Sequence, residues 1–265
     1  MSQGFTDRRF AVVPVSTFGT NPYERSSATL TASGSINTLG SYSQLIASTA
    51  ATYHGFWIHL RAASSSTATY MLNIATGAGG AESVIIPNYF FINCNGAVGQ
   101  LAWFAVKIAA GTRIAANVQS TAASQTVVLE LWGDATTTPP FLNTTAVAYG
   151  ANTGTTLGTS VTTGINVYGN WTSIGTTSRD HYGWVICNGG AATQPANSLY
   201  DVGYGPNSGS VTTVVAAMEH NWTNAVANYF SPPFFWGFVA SGSQMWMKIS
   251  GDGTARTASV VLEGI

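Results

Sequence analysis

Residues 71–86 read MLNIATGAGGAESVII. An apolar run enters a glycine-rich turn and a second apolar run leaves it. Such a cluster can cradle a phosphate, but that requires G-x-G-x-x-G opening a helix, or a Gly-Lys-Ser/Thr ending. Here the continuation SVIIP, residues 83–87, is β-branched and stops at Pro87, and the turn holds no lysine. The stretch therefore reads as a wide β-hairpin whose glycines supply positive φ. A second version, LYDVGYGPNSGSVTTVV, occupies residues 199–215 and keeps Gly203, Gly205 and Gly209.

The hairpin is one block of a longer repeat. YHGFWIHL (53–60) matches HYGWVICN (181–188), and AAGTRI (109–114) matches ASGSQM (240–245). TAASQTVVLE (121–130) matches TARTASVVLE (254–263). Collinear blocks at a nearly constant offset indicate tandem duplication. The chain then divides into an N-terminal arm (1–26), a first copy (27–134), a Thr/Pro/Gly-rich connector (135–158) and a second copy (159–265).

Within each copy the hydrophobic period is two. Phe56, Ile58 and Leu60 alternate with Trp57, His59 and Arg61, and Val127 and Leu129 alternate with Val128 and Glu130. Val260 and Leu262 against Val261 and Glu263 repeat the second pattern. Alternation puts one face inward and one outward. Gly, Asn and Ser clusters separate the runs, and no long window has helical periodicity with caps. The expectation is an all-β chain of two antiparallel β-sandwiches, with jelly-roll and immunoglobulin-like strand orders both open. The outward positions include Trp57, Trp103, Trp132 and Met71, so a second sheet, the sister copy or another subunit should cover them.

Composition narrows the functional classes. Charged residues make up 7% of the 265 residues, against roughly 25% in an average globular chain. The net charge of -1 gives no field for nucleic acid. No stretch approaches the ~20 apolar residues of a membrane helix, so membrane insertion is not expected. Residues 1–15, MSQGFTDRRFAVVPV, lack the apolar core of a signal peptide, which points to synthesis in the cytoplasm without export. Cys94 and Cys187 read as buried free thiols.

A search for catalytic or metal chemistry finds none. His54 and His59 are an odd distance apart and fall on opposite strand faces, while His181 sits at a strand lip as a structural or solvent-facing residue. Glu130 and Glu263 are equivalent positions in two copies rather than a pair across one cleft. No metal, cofactor or enzyme activity is expected. Binding is the open alternative. Trp171, Trp222 and Tyr204 stand beside Asn170 and Asn221, and aromatic rings beside amides can stack on and hydrogen-bond a sugar; core or rim packing is the competing reading.

The segments YMLNI (70–74), ESVIIPN (82–88), IAAGTRIA (108–115) and VVLELWG (127–133) together resemble a module of tailed-bacteriophage virion structural proteins. The likeness covers most of the first copy and is weaker in the second, where SVTTVVAAM (210–218) lacks the proline. It implies a non-enzymatic virion protein on the outer shell or tail, as capsid decoration or as a fibre accessory. The implied partners are capsid or tail proteins of the same particle, with a homo-oligomer expected. In that reading the arm anchors the chain through Phe5, Arg8, Arg9 and Phe10. The alternative is a carbohydrate-binding module, free or on a phage tail, recognising a host-surface glycan through the Trp and Asn residues above.

Overall fold

The structure, a computed structural model, describes residues 23–65, 68–92, 100–135, 143–152, 158–188, 197–221, 234–251 and 257–265. In the first copy the strands are β1 (Tyr23–Thr31), β2 (Ser43–Ile46), β3 (Gly55–Ala63), β4 (Thr69–Thr76), β5 (Ser83–Ile92), β6 (Gln100–Phe104), β7 (Ile114–Ser120) and β8 (Thr126–Asp134). The hairpin of residues 71–86 is the β4–β5 pair, with Thr76 opposite Ser83. Gly77 (φ 112°) and Gly80 (φ 83°) turn the chain between them, in the region that glycine enters without steric cost.

The hairpin is the closed end of a longer antiparallel ribbon. Outward from it, β3 pairs with β6, β2 with β7 and β1 with β8. The ribbon folds over so that β8 also pairs with β3, and β7 with β4. Two four-stranded sheets result, in the orders β1-β8-β3-β6 and β2-β7-β4-β5. Nested pairing folded into two sheets is a jelly roll. An immunoglobulin-like sandwich would join several successive strands within one sheet; here, among the described strands of this copy, β4–β5 is alone in doing so.

The second copy repeats the plan. Its strands are β9 (Val147–Tyr149), β10 (Thr159–Ile165), β11 (Thr172–Thr176), β12 (His181–Asn188), β13 (Asn197–Tyr204), β14 (Thr212–Asn221), β15 (Phe234–Val239), β16 (Gln244–Gly251) and β17 (Thr257–Gly264). The hairpin β13–β14 is again the closed end, with β12·β15, β11·β16 and β10·β17 nested outside it. Two differences mark this roll. The edge that β1 forms in one run is divided here: β9 pairs with β17 at Leu262–Gly264, and β10 takes over at Val260. The end of β10 then pairs in parallel with β16, joining both sheets into one nine-stranded sheet.

Even an irregularity is duplicated. Asn88 and Ala217 both have φ of 53°. The Asn88 N–H donates to Asn73 Oδ1 at 2.8 Å, and the Ala217 N–H donates to Asp201 Oδ1 at 2.7 Å. Each pair holds a break in register between the hairpin strands, so the polar position shared by β4 and β13 serves a bulge. The tips differ. Gly203 and Gly205 do not take the expected positive φ. They allow close approach instead, since a Cβ on Gly205 would lie 2.1 Å from the Ser210 carbonyl oxygen.

Alternation sorts the core as the period requires. Phe56, Ile58, Leu60, Val127, Leu129 and Leu131 fill the first roll, and Trp184, Ile186, Val260 and Leu262 the second. Met71 is fully buried on the other face of β4, 3.6 Å from the Gln119 amide. The first core continues across the joint between the rolls. Strand β5 lies against β9, β12 and β17, and the Ala146 N–H donates to the Ile85 carbonyl at 2.7 Å. Val185, Cys187, Val261 and Ile265, on the outer face of the second roll's β12–β17 sheet, belong to the same apolar cluster as β5. No helix occurs among the described residues, and hence none long and apolar enough to cross a membrane.

Candidate functional surface

The β1-β8-β3-β6 sheet of the first roll corresponds to the covered sheet of the second, but among the described residues no strand is stacked over its outer face. Register places Trp57 of β3 between Trp132 of β8 and Trp103 of β6, so three half-buried tryptophans form a row across adjacent strands. Trp57 and Trp103 lie 6.4 Å apart between ring centroids. The row continues onto the second roll, where Trp103 meets Phe234 edge-on at 5.2 Å and Trp236 at 6.3 Å. Trp236 and Phe238 are 46% and 55% exposed.

Beside the row stands a charge cluster. Glu130, its side chain 2% exposed, receives Arg25 Nη2 at 2.6 Å and Arg61 Nη1 at 3.0 Å, and contacts His59 Nδ1 at 2.9 Å. These residues alternate with core positions on β1, β3 and β8, which brings all of them to one face. Burial pushes the Glu130 carboxyl up, but the Arg25 and His59 hydrogen bonds outweigh it and leave the group below its usual range. Arg25 also lies 5.7 Å over the Trp132 ring. A carboxylate held as an anion by two guanidinium groups is poorly suited to general acid or base work. Tryptophan and arginine on an open sheet face are the composition of a protein-binding surface.

Of the residues proposed for sugar binding, Trp171, Tyr204, Asn170 and Asn221 lie among the described residues. Trp171 precedes β11, and its ring faces Lys248 Nζ at 4.6 Å. The same ammonium lies 4.5 Å over Tyr168 and 3.1 Å from Asp201 Oδ2. Tyr204 is half-buried at the end of β13 opposite Met245, and Asn170 is exposed. Asn221 ends β14 opposite Asn197. Trp222, Phe5, Arg8, Arg9, Phe10 and Cys94 lie outside the described residues. Cys187 is buried and free.

His181 corrects the solvent-facing reading. It is fully buried in the second core, and its Nε2 lies 2.6 Å from Tyr149 Oη. That hydroxyl also accepts the Ser178 N–H and lies 3.4 Å from Ser178 Oγ. Burial, reinforced by the Arg179 charge, pushes His181 down to about 4. Among the described residues no three His, Cys, Asp or Glu side chains group to hold a metal ion.

No protein-family model matches the chain, and no curated protein matches it in sequence. Among solved structures it is similar to a viral major capsid protein, the STIV MCP, with a TM-score of 0.32 and 10% identity over 91% of this chain and 97% of that one.

Proposed function

We propose that this chain is a non-enzymatic structural protein of a virus particle, assembling with further copies of itself through the open face of the first roll. One observation carries the reading. The same sheet face is covered in the second roll, by β5 of the first, whereas in the first roll no described strand is stacked on it and it carries Trp57, Trp103 and Trp132. The strand equivalent to β5 is β14. Its Val214, Val215 and Met218, at the positions of Ile85, Ile86 and Tyr89, are half-buried, whereas those three residues of β5 are buried. Among the described residues every copy thus has one face without a strand stacked on it and one hairpin strand, β14, less deeply buried than its counterpart β5. Head-to-tail contacts of this type close into rings or extend as filaments. β14 is less apolar than β5, so the contact between copies is weaker than the one within the chain.

The test is light scattering on purified protein at roughly 50 µM, above the Kd of a modest interface. Wild type should form a defined oligomer, and Trp57→Glu should give a folded monomer. A wild type that stays monomeric overturns the reading. Placement on the outer shell or tail is tested by cross-linking on intact particles, which should join β14 to the first roll or the chain to a neighbouring virion protein.

A further inference from the structure

Glu263 occupies in the second roll the place that Glu130 occupies in the first. It is fully buried beneath β5, and neither carboxyl oxygen has a hydrogen-bond partner among the described residues. Strand β12 sets Val185 opposite it and β9 sets Ala148 there, with Val261 and Ile265 on its own strand and face. The titratable groups facing it are Tyr89 from β5 and Cys187 from β12; β9 and β17 contribute none. The Tyr89 hydroxyl is also buried without a partner. No Arg, Lys or His among the described residues pairs with Glu263, so nothing there compensates a negative charge.

We infer that Glu263 is a proton-controlled lock on the joint between the rolls: as a neutral acid it leaves β5 seated on β12 and β17, and on ionisation it admits water and loosens that contact. A neutral carboxyl in an apolar joint costs little beyond its missing hydrogen bonds, whereas an unpaired buried carboxylate is far more costly. Burial raises the Glu263 carboxyl well above its usual range. Burial also raises Tyr89 and Cys187, and the nearby negative charge of Glu263 adds to both, so all three groups favour keeping their protons. The folded chain therefore retains a proton that the unfolded chain releases above about pH 4.3, and the joint weakens as pH rises. The lock is independent of what the open face binds.

Cys187 is a built-in reporter. Full-length protein is treated with N-ethylmaleimide from about pH 6 to about pH 9, and labelling of the Cys187 peptide is followed by mass spectrometry. The ratio of wild-type to Glu263→Gln labelling should rise with pH, by about tenfold for each pH unit below the folded value of the carboxyl. Glu263→Met serves the same purpose if the glutamine variant does not fold. A ratio that stays constant with pH overturns the lock, and so does equal protection by Glu130→Gln.

Discussion

Glu130 and Glu263 are the same residue of the same strand in two copies of one fold, yet they live in opposite surroundings. On the first roll's open face Glu130 is ringed by Arg25, His59 and Arg61. On the second roll's covered face Glu263 sees Val185, Ala148, Cys187 and Tyr89. The strand pairing is shared, and what differs is the cover. Where β5 sits on the sheet the neighbours are apolar and the carboxyl keeps its proton. Where no described strand covers the sheet the neighbours are cationic and aromatic, and the carboxyl is an anion. A duplicated position thus carries a structural address but no fixed chemical state.

The harshest test of this contrast puts a charge at the position two residues earlier. Val261 is fully buried in the joint, and its counterpart Val128 is half-buried on the open face. Val261→Asp should cost on the order of 3–5 kcal/mol in urea denaturation, as an unpaired charge in an apolar joint. Val128→Asp should cost about 1 kcal/mol or less in the monomer and should weaken self-association instead. Equal losses of stability would mean that the two faces are equally covered and that the contrast fails.

A gentler test uses pH, because the two carboxyls shift in opposite directions. Glu130 is lowered in the folded state, so it adds stability above about pH 4.3 that is lost as pH falls through its folded value. Glu263 is raised, so stability is complete below about pH 4.3 and is lost as pH climbs toward its folded value. Glu130→Gln should therefore flatten the acid limb of the melting-temperature profile, by an amount equivalent to about 1 kcal/mol, since its arginine partners are half-exposed. Glu263→Gln should flatten the alkaline limb and leave the acid limb alone. His181 contributes to the acid limb in both variants, because its neutral form is lost between about pH 6.5 and its folded value. Parallel shifts in the two variants would count against the contrast.

The sequence shows the repeat, the hairpins and the alternation because each is local: the match of VVLE at 127–130 and 260–263, the glycines at 77 and 80, Phe56-Ile58-Leu60 against Trp57-His59-Arg61. Strand order was not legible, since jelly-roll and immunoglobulin-like sandwiches demand the same alternation and differ only in long-range pairing. β9 escaped notice because three residues, Val147–Tyr149, are too few for a period. The covered face left a trace that went unread. Its outward positions are Val185, Cys187, Val261 and Ile265 around Glu263, where the first copy has Trp57 and His59 beside Val128, and an outward face this apolar is a face awaiting a partner. The sugar-binding reading grouped Trp171 with Tyr204 by composition; long-range pairing, which composition does not show, sets Trp171 against Lys248 and Tyr204 opposite Met245 on the same strand.

The smallest effect tests the duplication itself. Asn88 and Ala217 adopt one positive-φ bulge, each with its N–H held by the side chain at the paired position, Asn73 or Asp201. Asparagine enters this region readily, while alanine is strained there by about 1–2 kcal/mol. Ala217 is exposed, so a larger side chain has room. Ala217→Asn should raise stability by roughly 0.5–1 kcal/mol, and Asn88→Ala should lower it by at least as much. Asp201→Ala should remove most of the gain, because without its carboxylate nothing holds the bulge for asparagine to relieve. A stabilisation that survives in the Asp201→Ala background would assign the gain to the unfolded chain rather than to a bulge inherited from the ancestral hairpin.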